Sequence, residues 1–159
     1  MVLRRACEQD LPGLLKLLGQ VAMVHHEGRP DLFKAGCRKY TPSQLVSILK
    51  DELRPIFVAV DDDALPGDVL GYAFCIHQQH VDDNVLTDVR TLYIDDLCVD
   101  EDVRGRHVGT RLYNHVLGYA REQGYYNVTL NVWACNESAR RFYEHLGLVP
   151  QKYGMETIL

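Results

Sequence analysis

The stretch from Leu97 to Thr110, LCVDEDVRGRHVGT, passes without a break from an apolar, strand-like run through two glycines and two arginines into a helical pattern. A strand that enters a helix through such a loop aims unpaired backbone N–H groups, and the positive end of the helix dipole, at whatever lies above it. That arrangement favours a phosphate-like anion. Gly105 lets the backbone approach a ligand closely, and Gly109 allows tight packing at the helix start. Arg104 and Arg106 can add charge-assisted hydrogen bonds. Beyond the loop, Val108, Leu112, Val116 and Ala120 recur four apart on one helix face that ends near Gly124.

The elements around this unit follow from periodicity and turn chemistry. An apolar run over 2–6 reads as a strand, and Asp10 as the N-cap of a helix carrying Leu11, Leu14, Leu15, Leu18, Val21 and Ala22. Thr41-Pro42-Ser43-Gln44 is a capping box that opens a second helix. Ile56 to Val60 and Val69 to Ile76 form a hairpin, joined by an Asp-, Pro- and Gly-bearing turn over 61–68, and a third strand runs from about Val89 to Val99. Asn127 to Trp133 is β-branched enough for a strand, and Asn136 caps a last helix stopped by Gly147. Short runs at Leu148-Val149 and Met155 to Leu159 read as edge strands. No repeat or linker divides the chain, so one domain over 1–159 is expected.

Composition excludes several classes. Seventeen Lys+Arg against 22 Asp+Glu leave a net charge of -5, which disfavours nucleic acid, whose affinity comes from clustered positive charge, and suits a cationic partner. Five scattered cysteines without a C-x-x-C pair fit neither a disulfide framework nor a zinc site and point to a reducing, cytoplasmic compartment. There is no apolar leader at the N-terminus and no run approaching the ~20 apolar residues of a membrane span, so no membrane partner is expected. His25, His26, Glu27 and Asp31 stand in the segment after the first helix, and no further ligands at metal spacing accompany them, so no metal is expected.

The run R-G-R-H-V-G after a strand ending L-C-V resembles motif A of the GNAT superfamily N-acetyltransferases, Q/R-x-x-G-x-G/A, and N-E-S-A-R-R-F-Y-E-H-L-G-L resembles their motif B across Asn136, Ala139, Phe142, Tyr143, Gly147 and Leu148. His107 stands where the family has glycine; at a negative φ such a residue still donates its N–H. The resemblance implies an α/β (α+β) fold, with a mixed central sheet of about six to seven strands flanked by about four helices. It implies acetyl-CoA as cosubstrate. Its pyrophosphate would lie on the amides of Arg104, Gly105, Arg106, His107, Val108, Gly109 and Thr110, and its pantetheine arm would pair with the backbone of Leu97, Cys98 and Val99 on a splayed strand. Asn136, Ala139 and Tyr143 complete that site, and Tyr143 is implied as the acid that protonates the departing thiolate. Cys98 reads as a packed residue rather than a nucleophile.

The acceptor implied is an amine, mostly protonated near neutral pH, so a carboxylate or a water chain must attract it and take its proton. Asp95 and Asp96, in Y-I-D-D-L-C-V, are the candidates, in a strand similar to that of diamine acetyltransferases. Adjacent strand residues point to opposite faces, so only one should face the cleft unless a bulge intervenes. The resemblance also implies that His26 and Glu27 lie over the acceptor site. A small polyamine- or aminoglycoside-like cation is the first expectation, with a protein N-terminus or lysine as the other acceptor class and a non-catalytic acyl-CoA sensor as the other function. A homodimer through C-terminal strands is a further expectation from the family. A dinucleotide-binding fold is set aside, because the Gly105 to Gly109 spacing is not G-x-G-x-x-G and too few strand–helix–strand units are present.

Overall fold

A computed structural model describes residues 1–61, 63, 65 and 67–159. Its strands are β1 (Val2–Arg5), β2 (Ile56–Val60), β3 (Gly71–Gln78), β4 (Thr91–Val99) and β5 (Asn127–Leu130). Its helices are α1 (Leu11–Gly28), α2 (Pro42–Leu49), α3 (Val108–Glu122) and α4 (Glu137–His145). The strands lie in chain order in one sheet, antiparallel from β1 to β4, with β5 joining β4 in parallel. Of the turn expected between β2 and β3, Asp62, Ala64 and Pro66 lie outside the described residues.

The central strands are apolar on both faces because both faces are covered. Ile56, Val58, Tyr72 and Phe74 pack with α1 and α2 through Leu14, Leu17, Leu18, Leu45 and Ile48. Phe57, Ala59, Ala73 and Cys75 pack with α3 through Val108, Leu112 and Val116. A Cβ on Gly71 would stand 2.8 Å from the Cys98 carbonyl oxygen and 3.0 Å from Leu112, so only glycine lets β3, β4 and α3 meet there.

Local signals hold well at α2 and α4. Thr41 and Gln44 exchange side-chain to backbone hydrogen bonds at 3.3 and 2.8 Å, and Asn136 Oδ1 accepts from the Ala139 N–H at 3.1 Å. Asp10 differs from its expected role. It closes a 3-10 turn over Glu8–Asp10, and its carboxylate turns back to the Cys7 N–H (2.9 Å) and to a bidentate pair with Arg4 (2.7 and 2.9 Å), leaving none for α1. The sheet also has five strands among the described residues rather than six or seven. The two expected C-terminal edge strands are not strands: Val149, Tyr153, Met155 and Ile158 are exposed, and the segment is tied back by Glu156 to Arg29. Runs this short, broken by Pro150 and Gly154, have no stability as strands without a paired edge.

Candidate active site

Asp100 fixes the exit of β4. Buried itself, it accepts from Lys16 Nζ at 2.6 Å and Gln20 Nε2 at 3.2 Å, both on α1, and its carboxylate caps the turn over Glu101–Val103. The exposed loop Arg104 to His107 follows. Gly105 takes φ +81, the left-handed region that glycine enters without strain. No side chain caps α3 and no acidic residue stands in its first turn, so the first-turn N–H groups of Val108, Gly109 and Thr110 remain open to a ligand. The side chains of Arg104 and Arg106, exposed beside them, make no ion pair or hydrogen bond among the described residues.

The condition of a negative φ is not met at His107: it sits at φ +60, ψ +18, in the left-handed region that glycine enters freely. The loop geometry is therefore kept at a steric cost of about 1–2 kcal/mol for a side chain in that region. His107→Gly is expected to raise stability by a net ~0.5–1 kcal/mol, after the added freedom of the unfolded glycine is subtracted. A thermal melt reads this as a rise of roughly 2 °C. Gly109 has the expected packing role: a Cβ there would come within 3.1 Å of Phe142 and 3.4 Å of Val99, so the start of α3 rests directly on α4 and β4.

β4 and β5 pair only from Thr91↔Asn127 to Ile94↔Leu130, after which β4 runs on beside β3 alone. From Asp95 to Val99 its far edge is open. The Asp100 N–H bonds to Leu70 O on the β3 side, so alternation turns the N–H and C=O groups of Leu97 and Val99 to the open edge. Cys98 faces the core of α1 and α2, its thiol 3.7 Å from the Leu17 carbonyl and pushed up to about 12 by burial, which leaves it a packed thiol.

Where the split begins, the ladder shifts: Phe74 pairs with Asp96 and Cys75 with Ile94, leaving Asp95 as the extra residue of a bulge. The bulge turns both carboxylates toward α1 and α2. Asp95 Oδ2 accepts from the Tyr40 hydroxyl at 2.9 Å and pairs with Lys39 Nζ at 2.8 Å. Asp96 Oδ2 accepts from the Tyr72 hydroxyl at 2.7 Å. Tyr40 and Tyr72 both pack on Phe74, with ring centroids 5.7 and 4.8 Å away. Burial pushes the Asp96 carboxyl up to about 6, with the neighbouring Asp95 adding to the rise. Tyr143, on α4, lies within the field of Asp96 and Cys98, and burial first, then Asp96, hold its hydroxyl well above the ordinary phenol value. That hydroxyl has no hydrogen-bond partner among the described residues.

The other expected acceptor residues are placed differently. His25, His26 and Glu27 form the last turn of α1 rather than a loop. His26 Nδ1 lies 2.7 Å from Phe33 O, His25 stacks on Phe33, and Glu27 is exposed; Asp31 pairs with Arg29. None of them bonds to Asp95 or Asp96. Four residues that sequence reasoning did not single out do reach the acidic pair or its partners: Tyr72, Lys39, Tyr40 and, through its 3.1 Å bond to the Tyr40 hydroxyl, Arg54. Tyr72 alone left a signal, as the polar aromatic of a β3 that is otherwise apolar at that end. Among the described residues no three His, Cys, Asp or Glu side chains gather to hold a metal, and no helix is long and apolar enough to cross a membrane.

Residues 22–148, which hold the loop, the open edge of β4 and the α4 tyrosine, match the acetyltransferase (GNAT) family. The chain belongs to that family. It is similar to an uncharacterized N-acetyltransferase of Methanocaldococcus jannaschii, 43% identical over 54 residues, which are 34% of this chain and 24% of that protein. The chain thus spans about a quarter of the curated relative it matches. Over its full length it resembles a tetramutant of the BH1408 protein from Bacillus halodurans, 30% identical, covering all of both chains with a TM-score of 0.93. An aminoglycoside N-acetyltransferase in complex with CoA shares the fold at 15% identity, covering 99% of this chain and 98% of that one, with a TM-score of 0.70.

Proposed function

We propose that this protein transfers the acetyl group of acetyl-CoA to a primary amine of a small cation, polyamine- or aminoglycoside-like, by direct attack in a ternary complex. The observation that carries the reading is the bulge at Asp95, which sets two carboxylates on one face of β4 where its other edge opens. The residues present suit the cosubstrate. The left-handed loop, the open first-turn amides of α3 and the two arginines suit a pyrophosphate, and the free backbone of Leu97 and Val99 suits the amides of a pantetheine arm.

In this mechanism Asp96 takes the proton that the ammonium must lose before its nitrogen attacks the thioester carbon. The open Val99 N–H donates to the carbonyl oxygen as charge develops there. As the new C–N bond forms and the C–S bond breaks, Tyr143 gives its proton to the sulfur, and the second proton that the nitrogen sheds on becoming an amide passes to solvent, from which Tyr143 is reprotonated. No acyl-enzyme is needed, in keeping with the packed thiol of Cys98. The five cysteines are free, which suits the cytoplasm as the place of work.

The test is a calorimetric titration with acetyl-CoA followed by thiol release against polyamines, aminoglycosides and N-terminal peptides. Saturable binding and release with small cations is the expected result. Release with peptides alone would move the acceptor to proteins. Binding without release would make the chain an acyl-CoA sensor, and absence of binding would remove the cosubstrate role of the Arg104 to Thr110 loop.

A further inference from the structure

The two carboxylates of the acidic pair are not equivalent. Asp95, with a side chain 14% exposed, already holds an ammonium of its own chain: Lys39 Nζ lies 2.8 Å from Oδ2, and 42% of that side chain remains exposed. The same oxygen accepts from the Tyr40 hydroxyl, which in turn accepts from Arg54 Nη2. Both cations also lean on the Tyr40 ring, Lys39 at 5.7 Å and Arg54 at 5.6 Å from its centroid. Asp96 meets a neutral donor, the Tyr72 hydroxyl, and no cation bonds to it among the described residues. The cleft therefore presents one carboxylate in direct contact with the chain's own Lys39 and one that feels the same ammonium only from farther away.

An ammonium is recognised by the charge it meets, and a half-buried ion pair is screened far less than one in open water. A second ammonium brought within a few ångströms of the first would have to displace Lys39 or lie against it. We propose that Lys39 is a specificity-determining residue that occupies the place of a second substrate ammonium, so that the Asp95–Asp96 pair takes an acceptor with one positive charge at its reacting end. Further charges of a larger cation must then be met away from this pair. The inference rests on the reading of Asp95 and Asp96 as the acceptor side. Lys39 lies in the connection between α1 and α2, outside both cores, so its side chain can be shortened without opening either.

The experiment compares butylamine with 1,4-diaminobutane, binding each by calorimetry to the CoA-saturated protein and measuring thiol release separately. In the parent protein butylamine binds at least as tightly as the diamine. In Lys39→Gln the ratio of diamine to monoamine affinity rises tenfold or more, and in Lys39→Arg, which keeps the charge, the ratio stays at the parent value. A Lys39 that merely braced the connection would weaken both amines together, leaving the ratio unmoved, and that result overturns the proposal. So does absence of amine binding to parent and variant alike. A shifted ratio without thiol release would overturn acetyl transfer and leave the charge count standing; thiol release with an unmoved ratio would do the reverse.

Discussion

Tyr143→Phe is expected to lower kcat by roughly 10²- to 10³-fold, the range for loss of a positioned general acid, while leaving the affinity for acetyl-CoA nearly unchanged. The hydroxyl lies in the field of both Asp96 and Cys98, and no described residue occupies it with a hydrogen bond. Its raised pKa keeps it protonated at every working pH, so the proton is always in place. Whether that proton can move depends on the sulfur it meets. An alkyl thiolate is basic enough to share a proton with a phenol as the C–S bond breaks. Steady-state rates across pH, with a calorimetric Kd for each protein, make the check; an unchanged kcat at all pH values would take Tyr143 out of the chemistry.

Asp96→Asn should be as damaging to turnover, by roughly 10²- to 10⁴-fold, and should do the opposite to stability. With its carboxyl at about 6, Asp96 is a base only above that value, so kcat/KM should climb with pH through about 6 and level off, and the Asn variant should lose that limb. The folded state holds the Asp96 proton more tightly than the unfolded chain, whose value is near 3.8. Its contribution to stability is therefore fully present below about 4 and is lost as pH rises through about 6. At pH 7 the buried charge costs about 1–3 kcal/mol, which asparagine removes while still accepting from Tyr72. Thermal melts should show the variant more stable at pH 7 and the gain vanishing near pH 4.

Both predictions depend on a geometry that was only partly legible beforehand. The strand, glycine loop and helix from Leu97 to Thr110 could be read directly, because capping and chain reversal are decided by residues a few places apart. The same holds for Thr41 with Gln44 and for Asn136 with Ala139. The bulge could not be read, since nothing in Y-I-D-D-L says which residue β3 will leave unpaired; alternation alone sends one carboxylate to each face. Lys39 and Tyr40 come to Asp95 from 55 or more places earlier in the chain, Tyr40 packed on Phe74 and bonded by Arg54, an arrangement that no local pattern encodes. His25, His26 and Glu27 are expected past the end of the first helix because Gly28 and Pro30 close it, yet α1 carries them as its final turn. At His107 nothing in the sequence says which φ the loop will impose, and it imposes a left-handed one.

The brief pairing of β5 with β4 also sets how the molecule opens. Beyond Gly124 the chain is joined to the sheet by four parallel residue pairs, and neither β5 nor α4 contains a fully buried residue. Such a segment exchanges its amide hydrogens through sub-global opening, at a free energy below that of complete unfolding. A ligand lying along the split touches both sides and closes that opening by mass action. Protection of the Val128 to Leu130 amides thus gauges how much of the cleft is filled, while the amides of β2 and β3 go on reporting the stability of the fold.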